Sequence, residues 1–298
     1  MTIADRPAAP PVHTTGPLYL SRVPLNLRER AVQRDLADCR ALHRTILRAF
    51  PDLGLGRGIA QQTLASADAA LAPDARDDAD GDDGADARDG EILSASGARR
   101  RFGVLYRVDE DRRGAPIVLV QSSSEPDWSR LSEQFPRYLA GAPDRKDIAP
   151  SYAALRDGMT LAFRLRANPT RKVDRRQDRD LNRRNGRRAV LTAEADQLAW
   201  LRRKGAQGGF SLVALGGRPD VPDVRVSPVE KVEGRGAPDK RTFGAVTFEG
   251  RLRIEDADKL RAALVDGIGS GKAYGFGLLS LAPAGPRDAV ATAGTVGR

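Results

Sequence analysis

The sequence predicts an α+β chain made of two tandem βαββαβ units. Three observations predict it. At 298 residues with 40% hydrophobic content, the chain can bury two modest cores. Ahead of residue 135, apolar periodicity switches between two-residue and helical spacing in the order strand, helix, strand, strand, helix, which are the first five elements of a ferredoxin-like unit. From Met159 the alternation starts again, and a second set of elements follows.

The start, residues 1–17, is rich in Pro and Thr, has no hydrophobic period and is expected to be a disordered tail carrying His13. Leu18 to Leu25 reads as the first strand. Asp38 is placed to cap a helix with Leu42, Ile46, Leu47 and Phe50 on its buried side, and Pro51 stops it. Arg100 to Val108 and Pro116 to Gln121 read as β-runs, and Asp127 with Trp128 opens a second short helix. Within this first domain, residues 18–150, the stretch of about 66–91 departs from the scheme. Nine acidic residues and two arginines set in Ala and Gly between Asp74 and Glu91 predict a disordered insertion.

The second domain, residues 157–283, follows a boundary near 145–157. Met159 to Ala167 alternates as a half-buried strand does. Thr192 to Lys204 is the helix, with Thr192 as cap, Glu194 and Asp196 at its positive end, Arg202 to Lys204 at its negative end and Gly205 as its stop. Phe243 to Ile254 is a long strand, Asp256 to Asp266 a helix and Gly277 to Leu281 the last strand. Residues 284–298 form a tail.

Charge narrows the function. Lys and Arg outnumber Asp and Glu by 49 to 40, for a formal charge of +9, so a polyanionic partner is indicated. Only seven of those cations are lysines; arginine's planar fork can grip phosphate oxygens in pairs, although a GC-rich genome would also favour arginine. A single cysteine and two histidines exclude a disulfide framework and a four-ligand zinc site, and no metal or other cofactor is expected. No apolar run reaches membrane-spanning length, so a cytoplasmic protein without a membrane partner is predicted.

Three features could carry chemistry. The first is a run of eleven basic against three acidic residues: Arg164, Arg166, Arg171, Lys172, Arg175, Arg176, Arg179, Arg183, Arg184, Arg187 and Arg188. With turn residues at Asn168-Pro169 and Asn185-Gly186, residues 168–188 read as a basic hairpin suited to the phosphate-lined groove of duplex RNA, or as a charged loop without a partner. The second is the Gly-rich loop 267–277. It fails as a Walker loop because Asp266 and Ala273 stand where Gly and Ser or Thr are needed. Gly269, Gly271, Lys272 and Tyr274 could approach a phosphodiester there, or the loop could be only a tight helix-to-strand turn.

The third is His43, on the first helix with Arg40, Arg44 and Arg48. A helical histidine is ordinarily a packing or solvent-facing residue, but these cations change its meaning. An imidazole can move the proton of a ribose 2′-hydroxyl or of a leaving 5′-oxygen, while arginines hold charge on the phosphorane and, always protonated, cannot act as the base.

At these residues the chain resembles the CasE-type CRISPR RNA endoribonucleases of the Cas-six superfamily. The resemblance is carried by RDLADCRALHRT (34–45), VLVQSSSEPDW (118–128), FRLRANPTRK (163–172), VTFEGRLRI (246–254) and GIGSGKAYGFGLLSLAP (267–283). It implies two ferredoxin-like, RRM-related domains and a substrate that is the stem-loop of CRISPR repeat RNA, both as precursor and as mature crRNA. It also implies metal-independent cleavage at the 3′ base of the stem and partnership with the other subunits of the type I-E Cascade complex. His43 falls on the family's general acid or base, and Arg48 on a basic residue that often assists it. Relatives commonly carry tyrosine where this chain has Arg40, which leaves the second proton carrier open; Arg40 can stabilise the transition state, and Tyr19 is a candidate for the missing hydroxyl. The rival reading is a non-catalytic RNA-binding subunit of the same fold.

Overall fold

A computed structural model describes residues 16–51, 99–172, 188–216, 218–235 and 241–285. Residues 1–15 with His13, the Asp-rich insertion, Arg175, Arg176, Arg179, Arg183, Arg184 and Arg187, and the tail beyond 285 lie outside the described residues.

The first unit is a four-stranded antiparallel sheet in the order β2-β3-β1-β4, from β1 (Tyr19–Pro24), β2 (Leu105–Glu110), β3 (Pro116–Ser122) and β4 (Asp144–Asp147). That order is the one a ferredoxin-like unit requires. Between β1 and β2 lie α1 (Arg30–Leu36) and α2 (Cys39–Leu47); between β3 and β4 lies α3 (Ser129–Gln134), and α4 (Ala149–Ala153) follows β4. Val23, Leu42, Ile46, Val118, Val120, Leu131 and Tyr138 fill the space between sheet and helices.

Two elements here escape the periodicity reading. In α1 the buried positions are Ala31, Val32 and Asp35, and the carboxylate of Asp35 is satisfied by Arg34, by the Thr45 hydroxyl at 2.6 Å and by the Tyr138 hydroxyl at 2.9 Å. In β4 the four residues DRKD are all exposed on a sheet edge, so no apolar alternation marks the strand.

In the second unit the sheet runs β11-β13-β5-β14, built on β5 (Thr160–Ala167), β13 (Arg241–Ile254) and β14 (Leu279–Pro283). One edge is broken into three pieces. β8 (Phe210–Leu212), β11 (Val224–Val226) and β12 (Glu230–Gly234) pair in turn down the length of β13, from Ile254↔Phe210 to Gly234↔Arg241. The hairpin of β9 (Ala214–Leu215) and β10 (Arg218–Pro222) interrupts them, as does Pro228, which has no N–H to give a ladder. A short hairpin, β6 (Thr170–Lys172) with β7 (Arg188–Val190), forms the base of the expected basic hairpin.

α5 (Glu194–Gln207) and α6 (Ala257–Asp266) cover the sheet, with Trp200, Leu201, Phe248, Leu252, Leu260 and Leu264 as the centre of the core. α5 departs from expectation at both ends. Ala193 stands at its N-cap, and Gln197 Nε2 donates back to the Leu191 carbonyl at 2.9 Å. Gly205 does not stop the helix, which continues to Gln207. A Cβ at Gly205 would lie 2.7 Å from the Phe210 carbonyl oxygen, so its smallness serves the close approach of β8.

The units are joined by polar groups as well as apolar ones. Arg107 on β2 donates from Nη1 to the carbonyls of Arg164 at 3.1 Å and Leu278 at 3.2 Å. Gln121 Nε2 donates to the Leu264 carbonyl, and the Tyr152 hydroxyl donates to Gln121 Oε1. Among the described residues no helix is long and apolar enough to cross a membrane.

Candidate active site at the junction of the two units

α2 starts where the sequence reading places it. Asp38 is the N-cap; its Oδ1 accepts from the Arg40 N–H and also from the Arg235 N–H, each at 3.0 Å, which ties the end of β12 to the start of the helix. Arg40 and His43 lie three residues apart, on one face of α2, and each is only 3% exposed. The His43 ring lies nearly parallel to that of Tyr106 on β2, with centroids 6.1 Å apart. The Tyr106 hydroxyl is within reach of the Cys39 carbonyl at 3.3 Å and the Ala273 carbonyl at 3.1 Å, so one phenol touches both α2 and the Gly-rich loop. Its complete burial raises its pKa well above that of free tyrosine.

The Gly-rich loop forms the other wall. Gly267, Gly269, Gly271, Gly275 and Gly277 all have positive φ, and Lys272–Tyr274 form a 3-10 turn between two of them. At Gly275 the requirement is plain: φ is +86°, and an added Cβ would be 3.0 Å from the Tyr106 ring. Tyr274 packs on Phe243 at 4.8 Å between centroids and lies close enough to Arg40 for the two side chains to interact. Gly267 and Gly275 therefore serve packing against Leu105 and Tyr106 of the first unit, while a Cβ at Gly269 or Gly271 would meet Trp200 or Phe276 within the second.

Other predicted residues fall elsewhere. Arg48 lies on a different side of α2 from His43, with Arg34, Arg44 and Asp35 around a cleft of 270 Å³. Its guanidinium sits over the Phe135 ring and donates to Gln134. Burial lowers its pKa and the nearby Asp35 carboxylate opposes that, while arginine remains a cation throughout. Tyr19 lies on β1, paired with Ser122 and Asp147, with the Arg145 guanidinium over its ring. Arg164 is ion-paired to Glu249 and Asp109, and Arg166 to Glu230, so both are engaged within the protein.

Electrostatically the two faces differ. A cleft of 840 Å³ between the units is lined by Asp109, Glu110, Asp111, Glu230 and Glu233 against Arg164, Arg166 and Lys231. By contrast, a groove of 380 Å³ beside the β6–β7 hairpin carries Arg188, Arg203, Lys204, Lys259 and Lys272 with Asp266 as its only acid. Arg203 and Lys204 were read from sequence only as complements to the end of α5, and Lys259 was not singled out; the three come from α5 and α6 and converge only in three dimensions. The groove is the face suited to a polyanion.

Cys39 gives a testable handle on this junction. Burial, with the Asp38 carboxylate beside it, pushes the thiol up to about 12. A folded pKa above the unfolded one means the folded chain holds the proton more tightly. That stability is fully present below the ordinary thiol range and lost as pH rises toward 12. Urea unfolding between pH 9 and 11 is therefore expected to show wild type losing up to about 1.4 kcal/mol per pH unit more than Cys39→Ala. Equal slopes would show that the thiol is already accessible to water.

The sequence profile of the family described as CRISPR associated protein matches residues 18–66 and 91–283. The chain belongs to this CRISPR associated protein family. Across 271 residues it is 31% identical to the CRISPR-associated endoribonuclease Cse3 of Thermus thermophilus, covering 89% of this chain and all of that protein. Over 131 residues, 43% of this chain and 61% of the other, it is 38% identical to the Escherichia coli CRISPR system Cascade subunit CasE. The structure superposes on Thermus thermophilus Cse3 bound to an RNA representing a pre-cleavage complex, with a TM-score of 0.62 and 30% identity, covering 90% of this chain and all of that one. The family and fold expected from the five motifs are those found. Tyr106 is the site residue that sequence reading missed: it lies 63 positions from His43, and nothing in local spacing links the two.

Proposed function

We propose that this CRISPR associated protein is the endoribonuclease that binds the stem-loop of CRISPR repeat RNA and cuts at the 3′ base of the stem. It acts in the cytoplasm, needs no metal, and assembles with the other subunits of a Cascade complex. The observation that carries the reading is the junction itself. The single histidine among the described residues sits beside a buried guanidinium, at the place where the Gly-rich loop, with Lys272 in the basic groove, meets α2. The relatives named above, one solved with RNA and one a Cascade subunit, support the substrate and the partners.

The chemistry follows from those groups. Cleavage by the 2′-hydroxyl needs a proton taken from it, a proton given to the leaving 5′-oxygen, and cations for the charge that grows on phosphorus. His43 is suited to the proton work. Arg40 supplies fixed charge, and the β6–β7 hairpin with Arg171, Lys172 and Arg188 holds the duplex by its phosphates. With His43 only 3% exposed, the phosphodiester reaches it after the surface over the ring opens.

The test is a repeat hairpin incubated with the protein in EDTA. Expected are two products, one ending in a 2′,3′-cyclic phosphate and one beginning with a 5′-hydroxyl, and no cutting of an unstructured RNA of the same composition. Hairpin bound but left intact would establish instead the non-catalytic RNA-binding subunit.

A further inference from the structure

The chain has five tyrosines, and the structure commits most of their hydroxyls to the protein itself. Tyr138 donates to Asp35, Tyr152 to Gln121, and Tyr106 bonds to backbone carbonyls of α2 and the Gly-rich loop. Tyr19 lies on β1 beneath Arg145. Tyr274 differs. It is buried to 9% exposure and lies close enough to interact with the side chain of Arg40, a guanidinium whose Nε and Nη2 are buried without a hydrogen-bond partner. Buried donors left open at a cation are expensive unless an anion completes them. The residues on either side of Tyr274 both touch Tyr106, Ala273 through its carbonyl and Gly275 through close packing, and Tyr106 in turn stacks on His43. Two residues earlier Lys272 lines the basic groove. The 3-10 turn therefore links the polyanion-suited face to the imidazole.

From this juxtaposition we propose that Tyr274 is the second proton carrier of the reaction, donating to the leaving 5′-oxygen while His43 accepts from the 2′-hydroxyl and Arg40 holds charge between them. This rests on the ribonuclease reading. The neutral imidazole takes the 2′-hydroxyl proton as the 2′-oxygen bonds to phosphorus. The bond from phosphorus to the 5′-oxygen breaks, and the phenolic proton passes to that oxygen as it leaves. Imidazolium then returns a proton through water to the phenolate, so both groups are reset and no co-reactant is consumed. Burial raises the Tyr274 pKa, with Arg241 and Arg40 opposing it and Cys39 adding to it, so the phenol keeps a proton to give and has cations waiting for the phenolate.

The experiment is single-turnover cleavage of the repeat hairpin by wild type, Tyr274→Phe and Tyr19→Phe. Each is tested on the natural linkage and on one with sulfur at the bridging 5′ position, a leaving group that departs without protonation. Phenylalanine keeps the ring against Phe243, so hairpin affinity and melting temperature are expected to stay at wild-type values. Tyr274→Phe is expected to lose about 100-fold or more on the oxygen linkage and to recover near wild-type rate on the sulfur linkage. The same loss and rescue in Tyr19→Phe, with Tyr274→Phe at wild-type rate, would assign the proton to β1 and overturn the proposal. Equal loss on both linkages, or none on oxygen, overturns the proposal while wild-type cutting leaves the ribonuclease reading standing. Wild type failing to cut either linkage overturns both.

Discussion

His43→Gln is expected to bind the repeat hairpin with wild-type affinity and to cut it about 10² to 10⁴ times more slowly, the usual contribution of a positioned proton-transfer group. Glutamine is the informative replacement because it keeps a polar side chain of similar reach under the Tyr106 ring but cannot exchange a proton near neutral pH. His43→Ala is expected to lose as much activity, and some stability besides, since a ring buried to 3% exposure leaves a void. Neither Arg40 nor Arg48 can take over, because arginine stays protonated. Affinity is expected to survive because the proposed phosphate-holding groups are the hairpin base and the basic groove, not the imidazole. Single-turnover rates and equilibrium binding, measured on the same preparation, separate the two effects. Cutting at normal speed without the imidazole would place the chemistry elsewhere on the protein.

Local sequence carries information only where local contacts decide the structure. Thr160–Ala167 was legible because β5 is central, with one face in the core, so its residues alternate. The edge strand β4 was not, since it buries nothing, and the broken edge β8, β11 and β12 owes its shape to pairing along β13 and not to any period of its own. Gly205 misled because a glycine that admits Phe210 looks in sequence like one that ends a helix. The site divides in the same way. Asp38, Arg40 and His43 lie within six residues at the start of α2, Arg40 and His43 three apart on one face, so their spacing alone places them together. Tyr106 and Tyr274 meet them only because the two units pack against each other, so pairwise distances along the chain hold no trace of it. Arg164 and Arg166 were read as part of the basic run, and their carboxylate partners on β13 and β12, 64 or more residues away, leave no local mark in the sequence.

That packing itself has a weak point that can be measured. Arg107→Ala is expected to destabilise the protein by about 3–5 kcal/mol, the range for removing one member of a buried ion pair. Against a total of about 5–15 kcal/mol for a domain, that is a large share. Four bonds and one charge explain the size. Arg107, with its side chain 3% exposed, makes a forked contact with Asp109, itself 10% exposed. Its remaining donors close the carbonyls of Arg164 and Leu278 in the other unit. Truncation leaves a carboxylate with only Arg164 at 3.4 Å as a charge partner, and two carbonyls unclosed. The double variant Arg107→Met, Asp109→Leu removes donor and acceptor together and is expected to recover much of the loss, because apolar side chains need no compensation there. Urea unfolding of the three proteins decides the matter. A single variant within about 0.5 kcal/mol of wild type, the range of ordinary surface substitutions, would mean that water already reaches this pair and that the other contacts across the junction, such as Gln121 to the Leu264 carbonyl and the apolar cluster around Tyr274 and Phe276, hold the two units together.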